Sequence, residues 1–134
     1  MSDIPLGGCR YPRRMTRLVS LLAALLLALT ACSSGDGNAS ISSAVDSGAT
    51  IIDVRTPAEF DDGHVEGAVN IDVTAPDFDD RLGELDPEAS YVVYCRSGSR
   101  SADAVARMRD AGFTDVVDGG GLGDMEDAGY PSGS

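Results

Sequence analysis

The stretch Tyr91-Val92-Val93-Tyr94-Cys95-Arg96-Ser97-Gly98-Ser99 joins the clearest strand of this sequence to a short polar loop. Its first five residues are β-branched, aromatic or apolar, which is the composition of a strand. Over residues 100–111 apolar side chains recur at helical spacing, and Gly112 supplies the left-handed residue that commonly ends a helix. The stretch therefore predicts a strand, a tight loop and a helix in direct succession.

The remaining domain shows the same alternation of strands and helices. Residues 50–54 form a β-branched run that is apolar on both faces, as in a covered parallel strand. Thr56-Pro57-Ala58-Glu59 has the pattern of a capping box and opens a helix that ends near Gly63. We also expect helices over 41–45, 78–85 and 122–128, strands over 68–71 and 116–117, and a turn over 119–121. This order predicts an α/β fold, with a small central parallel sheet and helices on both faces.

The charge of the chain limits its partners. It has 134 residues, enough for one domain of ordinary size, with 22 acidic and 10 basic side chains and a net charge of −12. The first 31 residues hold four of the basic residues and one acid, so the rest carries 21 acids, six arginines and a net charge of −15. Such a surface argues against nucleic acid as a partner. An anionic substrate would need a local cationic site to bind.

The N-terminal segment has the pattern of an export signal. Residues 18–31 carry no charge, follow three arginines, and are fewer than the roughly 20 apolar residues of a spanning helix. The end of this run, Leu29-Thr30-Ala31-Cys32, resembles the lipobox of bacterial lipoprotein signal peptides. That resemblance implies a lipidated Cys32 at the start of the mature chain. The alternatives are an uncleaved membrane anchor, or an ordinary cleaved signal in which Cys32 is incidental.

These patterns divide the chain into three parts. Residues 1–31 are expected to be the lipoprotein signal peptide, 32–40 a flexible tether rich in Ser and Gly, and 41–134 the folded domain. The acyl chains would hold the protein at the extracytoplasmic face of the cell membrane through a lipid anchor.

Cys95 is the one thiol expected in the mature domain, since Cys9 lies in the signal and Cys32 would be acylated. A junction of strand, loop and helix turns backbone N–H groups and the positive end of a helix dipole toward the loop centre. With Arg96 and Arg100 nearby, these groups should lower the thiol pKa below about 8.5 and favour the nucleophilic thiolate. The alternative is a buried, unreactive core cysteine.

Two motifs carry a family resemblance. The segment Cys95-Arg96-Ser97-Gly98-Ser99-Arg100-Ser101 resembles the active-site loop of rhodanese domains, sulfurtransferases that carry sulfur as a cysteine persulfide. A second set is similar to another rhodanese signature: Asp53-Val54-Arg55, then Glu59-Phe60, then the segment 63–71 with Gly63-His64 and Gly67-Ala68. The resemblance covers about residues 41–131.

The resemblance implies a sulfurtransferase in which Cys95 is catalytic. The thiolate would take sulfur from a small anionic donor such as thiosulfate, release sulfite, and pass the sulfur to cyanide or a thiol. The donor-binding residues it implies are Arg96, Ser97, Gly98, Ser99 and Arg100. Asp53 and Arg55 would support the site through an ion pair, and His64 would be structural. We expect no cofactor, no metal site and a monomer.

One departure and two rival functions remain. Rhodanese domains commonly have a Trp where this chain has Met125, so Met125 is expected to fill that place in the core.

Cysteine phosphatases use Cys-x5-Arg, whereas Cys95 and Arg100 are separated by four residues, which argues against phosphatase chemistry. The alternative that stays open is a non-catalytic binding or redox-sensing module on the same scaffold.

Overall fold

The computed structural model of the chain describes residues 36–134. The predicted signal peptide and Cys32 lie outside the described residues. The strands among these residues are β1 (Thr50–Asp53), β2 (His64–Val65), β3 (Val69–Asn70), β4 (Ser90–Cys95), β5 (Asp115–Gly121) and β6 (Ser132–Gly133). The helices are α1 (Asp36–Asp46), α2 (Pro57–Asp62), α3 (Phe78–Leu82), α4 (Ser99–Asp110) and α5 (Leu122–Asp127).

Four strands form the central sheet in the order β3-β1-β4-β5, and all of them run parallel. In its register, Ile52 of β1 lies opposite Val69 on one side and Val93 on the other. The strands β2 and β6 make a separate antiparallel pair. The predicted α/β fold with a parallel sheet is confirmed. Because the strands are parallel, their carboxyl ends and the loops that follow them share one edge.

The core lies on both faces of the sheet because successive side chains of a strand point to opposite sides. On one face, β1 and β4 pack against α3 and α4 through Ile52, Val54, Val93, Cys95, Phe78, Leu82, Val105 and Met108. On the other face they pack against α1 and α5 through Ile51, Val92, Tyr94, Ile41 and Met125. Neighbouring residues Tyr94 and Cys95 therefore belong to different faces.

The helix α1 begins earlier than its composition predicts. Residues 36–40, which we expected to form part of the tether, belong to this helix, and it continues one residue beyond the expected 41–45. Gly, Ser and Asn are poor helix formers, so the local sequence gives a weak signal. Packing supplies the stability instead, since Ile41 is 2% exposed and Ala44 and Val45 contact the same core cluster.

The strand β5 also differs from the prediction, because the expected turn over 119–121 is part of it. Gly120 and Gly121 pair with Tyr94 and Cys95, after a shift of register between Val93 and Tyr94. Glycine-rich segments rarely form strands by propensity, so the pairing with β4 decides the conformation. The triplet thereby lies beside the end of β4 rather than beyond the sheet.

Helix ends follow local chemistry more closely. The capping box between Thr56 and Glu59 is present at the start of α2, as predicted. The left-handed Gly112 (φ +99°) follows the end of α4, also as predicted. The helix α3 ends at Leu82 rather than 85, because the N–H groups of Glu84 and Leu85 donate to carbonyl oxygens three residues back, as in a tighter turn.

Candidate active site

Cys95 is the last residue of β4, and its sulfur lies under the loop that leads into α4. The backbone N–H of Gly98 donates a hydrogen bond to Cys95 Sγ at 3.0 Å. Gly98 adopts φ +93°, a left-handed conformation that favours glycine and turns the chain into the helix. The cysteine is 0% exposed, so the loop encloses its side chain.

The surroundings of this sulfur favour its anion. Burial raises the pKa of the Cys95 thiol, because a thiolate is costly to remove from water. The backbone N–H groups of Ser101, Ser97 and Gly98 and the Ser101 hydroxyl act in the opposite direction and outweigh it. The pKa of Cys95 therefore lies below its ordinary value, as predicted from the position of the residue.

The glycines of β5 form one wall of the loop. Ser97 makes an antiparallel bridge with Gly121. A Cβ atom at Gly121 would lie 2.7 Å from the carbonyl oxygen of Arg96, and one at Gly98 would lie 3.5 Å from Gly120 Cα. The two backbones approach so closely that Gly121 leaves no room for a side chain.

Ser101, in the first turn of α4, is a site residue that the sequence analysis did not assign. It is fully buried, and its Oγ lies 2.9 Å from the Gly98 carbonyl oxygen, 2.8 Å from Asp118 Oδ1 and 3.2 Å from the Gly120 carbonyl oxygen. Its hydroxyl therefore joins the cysteine loop to β5. The only signal in the sequence was its place at the end of the rhodanese-like motif.

Arg100 is paired with an acid from another element. Its guanidinium donates to both carboxylate oxygens of Glu59, at 2.7 and 2.9 Å. That hydrogen-bonded pair, helped by Thr56, lowers the pKa of Glu59 to about 2, against the effect of burial. The Glu59 carboxylate also raises the pKa of Arg100, with a smaller Coulombic effect from Cys95. Arg100 thus acts on the sulfur electrostatically, but Glu59 already compensates its charge.

Arg96, unlike Arg100, has no acidic partner among the described residues. Its side chain is exposed, and within residues 36–134 it makes no hydrogen bond or ion pair. It directly follows Cys95 in the loop, whose other exposed side chains are those of Ser97 and Ser99. Of the two arginines expected to bind a donor, Arg96 is the one whose charge is uncompensated in the described part of the chain.

Asp53 and Arg55 form the predicted ion pair, but on the other face of the sheet from the sulfur. Arg55 Nη2 lies 2.6 Å from Asp53 Oδ2, and both side chains are buried. The Tyr94 hydroxyl donates to the same Asp53 oxygen at 2.6 Å and accepts from the Val65 N–H at 3.0 Å. Arg55 also donates to the Gly63 carbonyl oxygen at 2.7 Å. The pair therefore ties β1, β4 and the turn at β2 together, which is a supporting role.

Burial and hydrogen bonding shift the pKa values of Arg55 and Tyr94 in this network. The pKa of Arg55 is raised chiefly by its hydrogen bond to Asp53, against burial. Burial and the hydrogen bond to Asp53 raise the pKa of Tyr94. Tyr94 thus stays a neutral donor at physiological pH. Its role had no signal in the sequence, because an aromatic residue in a strand is ordinarily part of the core.

His64 and Met125 have packing contacts. The His64 ring stacks on Phe60 with centroids 3.6 Å apart, and its Nδ1–H donates to the Phe60 carbonyl oxygen at 2.9 Å. Met125 is fully buried, and its Sδ lies 2.8 Å from where a Cβ at Gly119 would be. Its side chain occupies core space against the glycine segment of β5.

Neither a metal-binding cluster nor a membrane-spanning helix lies within residues 36–134. These residues include no group of three or more His, Cys, Asp or Glu placed to hold a metal ion. None of the helices in this part of the chain combines the length and apolar character needed to cross a membrane.

Known proteins share this fold and sequence pattern. The chain is 34% identical over 76 residues to the thiosulfate sulfurtransferase PspE of Escherichia coli, which covers 55% of this chain and 71% of that protein. It is 40% identical over 67 residues, 50% of its length, to the Mycobacterium tuberculosis protein named "Probable adenylyltransferase/sulfurtransferase MoeZ", and it spans 17% of that relative. The crystal structure of the Alr3790 protein from Anabaena sp. matches with a TM-score of 0.62 and 29% identity, over 72% of this chain and 89% of that one.

A family model gives the same result. The model described as "Rhodanese-like domain" matches residues 38–121, which is more than half of the chain. This span includes most of α1, the Asp53–Arg55 pair and the whole cysteine loop, and it ends with the glycine wall of β5. The chain belongs to the rhodanese-like domain family.

Proposed function

We propose that this protein is a sulfurtransferase that carries sulfane sulfur on Cys95. The observation that carries the proposal is the environment of the Cys95 sulfur. Cys95 is the last residue of a parallel strand, its Sγ accepts a hydrogen bond from the Gly98 N–H at 3.0 Å, and the pKa of its thiol is lowered. Backbone N–H groups that converge on one atom can stabilise a thiolate and, after sulfur transfer, a persulfide anion. The similarity to a thiosulfate sulfurtransferase supports the same chemistry.

The reaction has two steps that balance without a cofactor. The Cys95 thiolate attacks the outer sulfur of thiosulfate, a sulfur–sulfur bond forms, and the bond to the sulfonate breaks to release sulfite. Cyanide or a thiolate then attacks the terminal sulfur of the persulfide, and the sulfur–sulfur bond to Cys95 breaks. The product is thiocyanate or a new persulfide, and the Cys95 thiolate is restored. Each step exchanges one sulfur bond for another, so no external oxidant or reductant is required.

The donor would be held by few positive groups. Glu59 compensates Arg100, so within the cysteine loop the positive groups available to a donor anion are Arg96 and the backbone N–H groups. Cys95 is 0% exposed and belongs to the core cluster on its face of the sheet, so the donor must reach Sγ through the loop, at the edge where the strands end. A small donor satisfies this geometry better than a bulky one.

The proposal includes a location. The lipobox-like Leu29-Thr30-Ala31-Cys32 supports export and lipidation at Cys32, with the domain held at the extracytoplasmic face of the membrane. Changing Cys32 to Ala should leave the chain unacylated and remove it from the membrane fraction. Mass spectrometry and fractionation measure both effects, and a variant with unchanged mass and membrane retention would contradict lipidation.

The test of the chemistry is sulfur uptake by the purified full chain. After incubation with thiosulfate, mass spectrometry of the peptide that contains Cys95 should show one added sulfur atom, which cyanide removes as thiocyanate. Cys95→Ser should abolish both signals, because a serine hydroxyl is far less acidic and forms no persulfide. Cys32→Ser, which retains Cys95, is the matched control. A chain that takes up no sulfur from thiosulfate or from a persulfide donor would instead be a non-catalytic module.

A further inference from the structure

The Ser101 hydroxyl has one proton and several neighbouring acceptors. A serine hydroxyl donates one hydrogen bond. Three oxygen atoms lie within 3.2 Å of Ser101 Oγ: the carbonyl oxygens of Gly98 and Gly120 and the carboxylate oxygen of Asp118. The side chain is fully buried, so no bulk water supplies a further donor. Only one of these acceptors can receive the full hydrogen bond at a time.

Asp118 is the strongest of these acceptors. A hydrogen bond to an ionised carboxylate is roughly twice as strong as one between neutral groups. Asp118 Oδ1 lies 2.8 Å from Ser101 Oγ and is held in place by the Gly120 N–H at 2.9 Å. Asp118 is itself exposed, and one of its carboxylate oxygens reaches the buried hydroxyl.

The same hydroxyl borders the sulfur. Gly98 connects the two groups, since its carbonyl oxygen lies 2.9 Å from Ser101 Oγ while its N–H donates to Cys95 Sγ. The hydroxyl and the N–H of Ser101 both lower the pKa of the Cys95 thiol, so they lie close enough to act on its anion. A thiolate or persulfide anion at Cys95 is thus a fourth acceptor for the proton that Asp118 attracts.

We propose that Asp118 is a positioning residue, whose carboxylate competes with the Cys95 sulfur for the single proton of the Ser101 hydroxyl and so limits how strongly the loop stabilises the sulfur anion. A less stabilised thiolate is a stronger nucleophile. Asp118 therefore acts through Ser101 and touches neither the donor nor the sulfur. The inference rests on the proposed role of Cys95 as a nucleophile.

Other charged groups face the sulfur and must be held constant in a test. Arg100 acts on Cys95 from α4 and is paired with Glu59 of α2. Asp72, after β3, acts on Arg100. Arg96 belongs to the loop itself. None of them makes a hydrogen bond or ion pair with Ser101 or Asp118 in the described structure, so changes at Asp118 leave these partners in place.

The experiment measures the pKa of Cys95 in the full chain, from the pH dependence of its alkylation by iodoacetamide, followed on the Cys95 peptide by mass spectrometry. Asp118→Asn keeps an acceptor oxygen but removes the charge, so the Ser101 proton becomes available to sulfur. The pKa of Cys95 should fall by about one unit. Asp124→Asn is the matched control, because Asp124 is an exposed acid of the next element, α5, that accepts the Gly121 N–H at 2.7 Å and makes no hydrogen bond with Ser101.

The dependence on Ser101 separates this proposal from a simple loss of charge. Ser101→Ala should raise the pKa of Cys95, and in that background Asp118→Asn should have little further effect. The proposal is overturned if Asp118→Asn shifts the pKa no more than Asp124→Asn, or if its shift persists without the Ser101 hydroxyl. Alkylation requires no sulfur transfer, so a failure here is distinct from a failure of the proposed sulfurtransferase activity.

Discussion

At the scale of single residues, the ion pair between Arg100 and Glu59 joins the cysteine loop to the first turn of α2. Glu59 has two structural tasks, since its carboxylate also accepts from the Thr56 N–H and hydroxyl in the capping box. Arg100 is thereby held close to the sulfur while its own charge is compensated. The pair therefore fixes the orientation of the loop, and it does not provide an uncompensated positive charge.

This pairing makes the stability of the domain depend on pH at the acidic end. The pKa of Glu59 is about 2 in the folded chain and about 4.3 when unfolded, so its contribution is present above about 4.3 and is lost as the pH falls toward 2. Glu59→Gln should therefore lower the free energy of unfolding at pH 6 and do so by about half as much at pH 3. Urea unfolding at both values measures the difference.

The control for this prediction is Glu84→Gln, at an exposed acid that has no side-chain partner among the described residues. Its effect should be small at both pH values. An effect of Glu59→Gln that is the same at pH 6 and pH 3 would contradict the coupling between the ion pair and stability.

At the scale of elements, the site depends on the contact between the cysteine loop and the last segment of β5. The pairing of Cys95 with Gly121 brings the two backbones together, and the Ser97–Gly121 bridge continues the contact beyond the strand. On the opposite face, the Asp53–Arg55–Tyr94 network joins β1, β4 and the turn at β2. The loop is therefore shaped by neighbours on both sides of β4.

Substitution of two nearby glycines, Gly121 and Gly123, tests the importance of that contact. Gly121→Ala would place a methyl group 2.7 Å from the Arg96 carbonyl oxygen, an overlap that should cost about 1–3 kcal/mol and displace the loop. Gly123→Ala meets no atom within 4 Å in α5 and should stabilise the chain by about 0.5–1 kcal/mol. Urea unfolding and the alkylation rate of Cys95 measure both effects, and equal stability of the two variants would contradict a close-packed wall.

At the scale of the whole molecule, charge opposes the proposed donor. The chain beyond residue 31 carries a net charge of −15, whereas thiosulfate is a dianion. Long-range repulsion is screened over about 8 Å at physiological ionic strength, but short contacts to the loop and Arg96 are screened less. The balance between the two decides how salt affects the reaction.

We expect repulsion to dominate, since Glu59 already neutralises one of the two arginines near the sulfur. The apparent second-order rate of persulfide formation with thiosulfate should rise several-fold as salt increases from a few millimolar to physiological strength. Stopped reactions analysed by mass spectrometry provide the rate. A steep, monotonic loss with salt would show that the local positive groups outweigh the global charge.

Much of the fold and the reactive residue follow from the sequence alone, because they depend on neighbours along the chain. The strand that ends at Cys95, the helix that follows it, the capping box of Thr56 and Glu59 and the helix end at Gly112 are local patterns, and the structure contains each of them. The lowered pKa of Cys95 also follows from local geometry, since its main donors are the next residues of the loop.

The tertiary structure alone decides which distant groups meet. Arg100 and Glu59 are 41 residues apart, as are Tyr94 and Asp53, and any of the many acids could have been the partner until the strand order placed these side chains together. Packing of Ile41 likewise stabilises α1, and pairing with β4 decides that β5 continues through Gly121, against the local propensity of glycine and serine. Sequence patterns report local preference, whereas long-range pairing depends on the order and register of strands, and that is why the reactive atom was predictable and most of its supporting contacts were not.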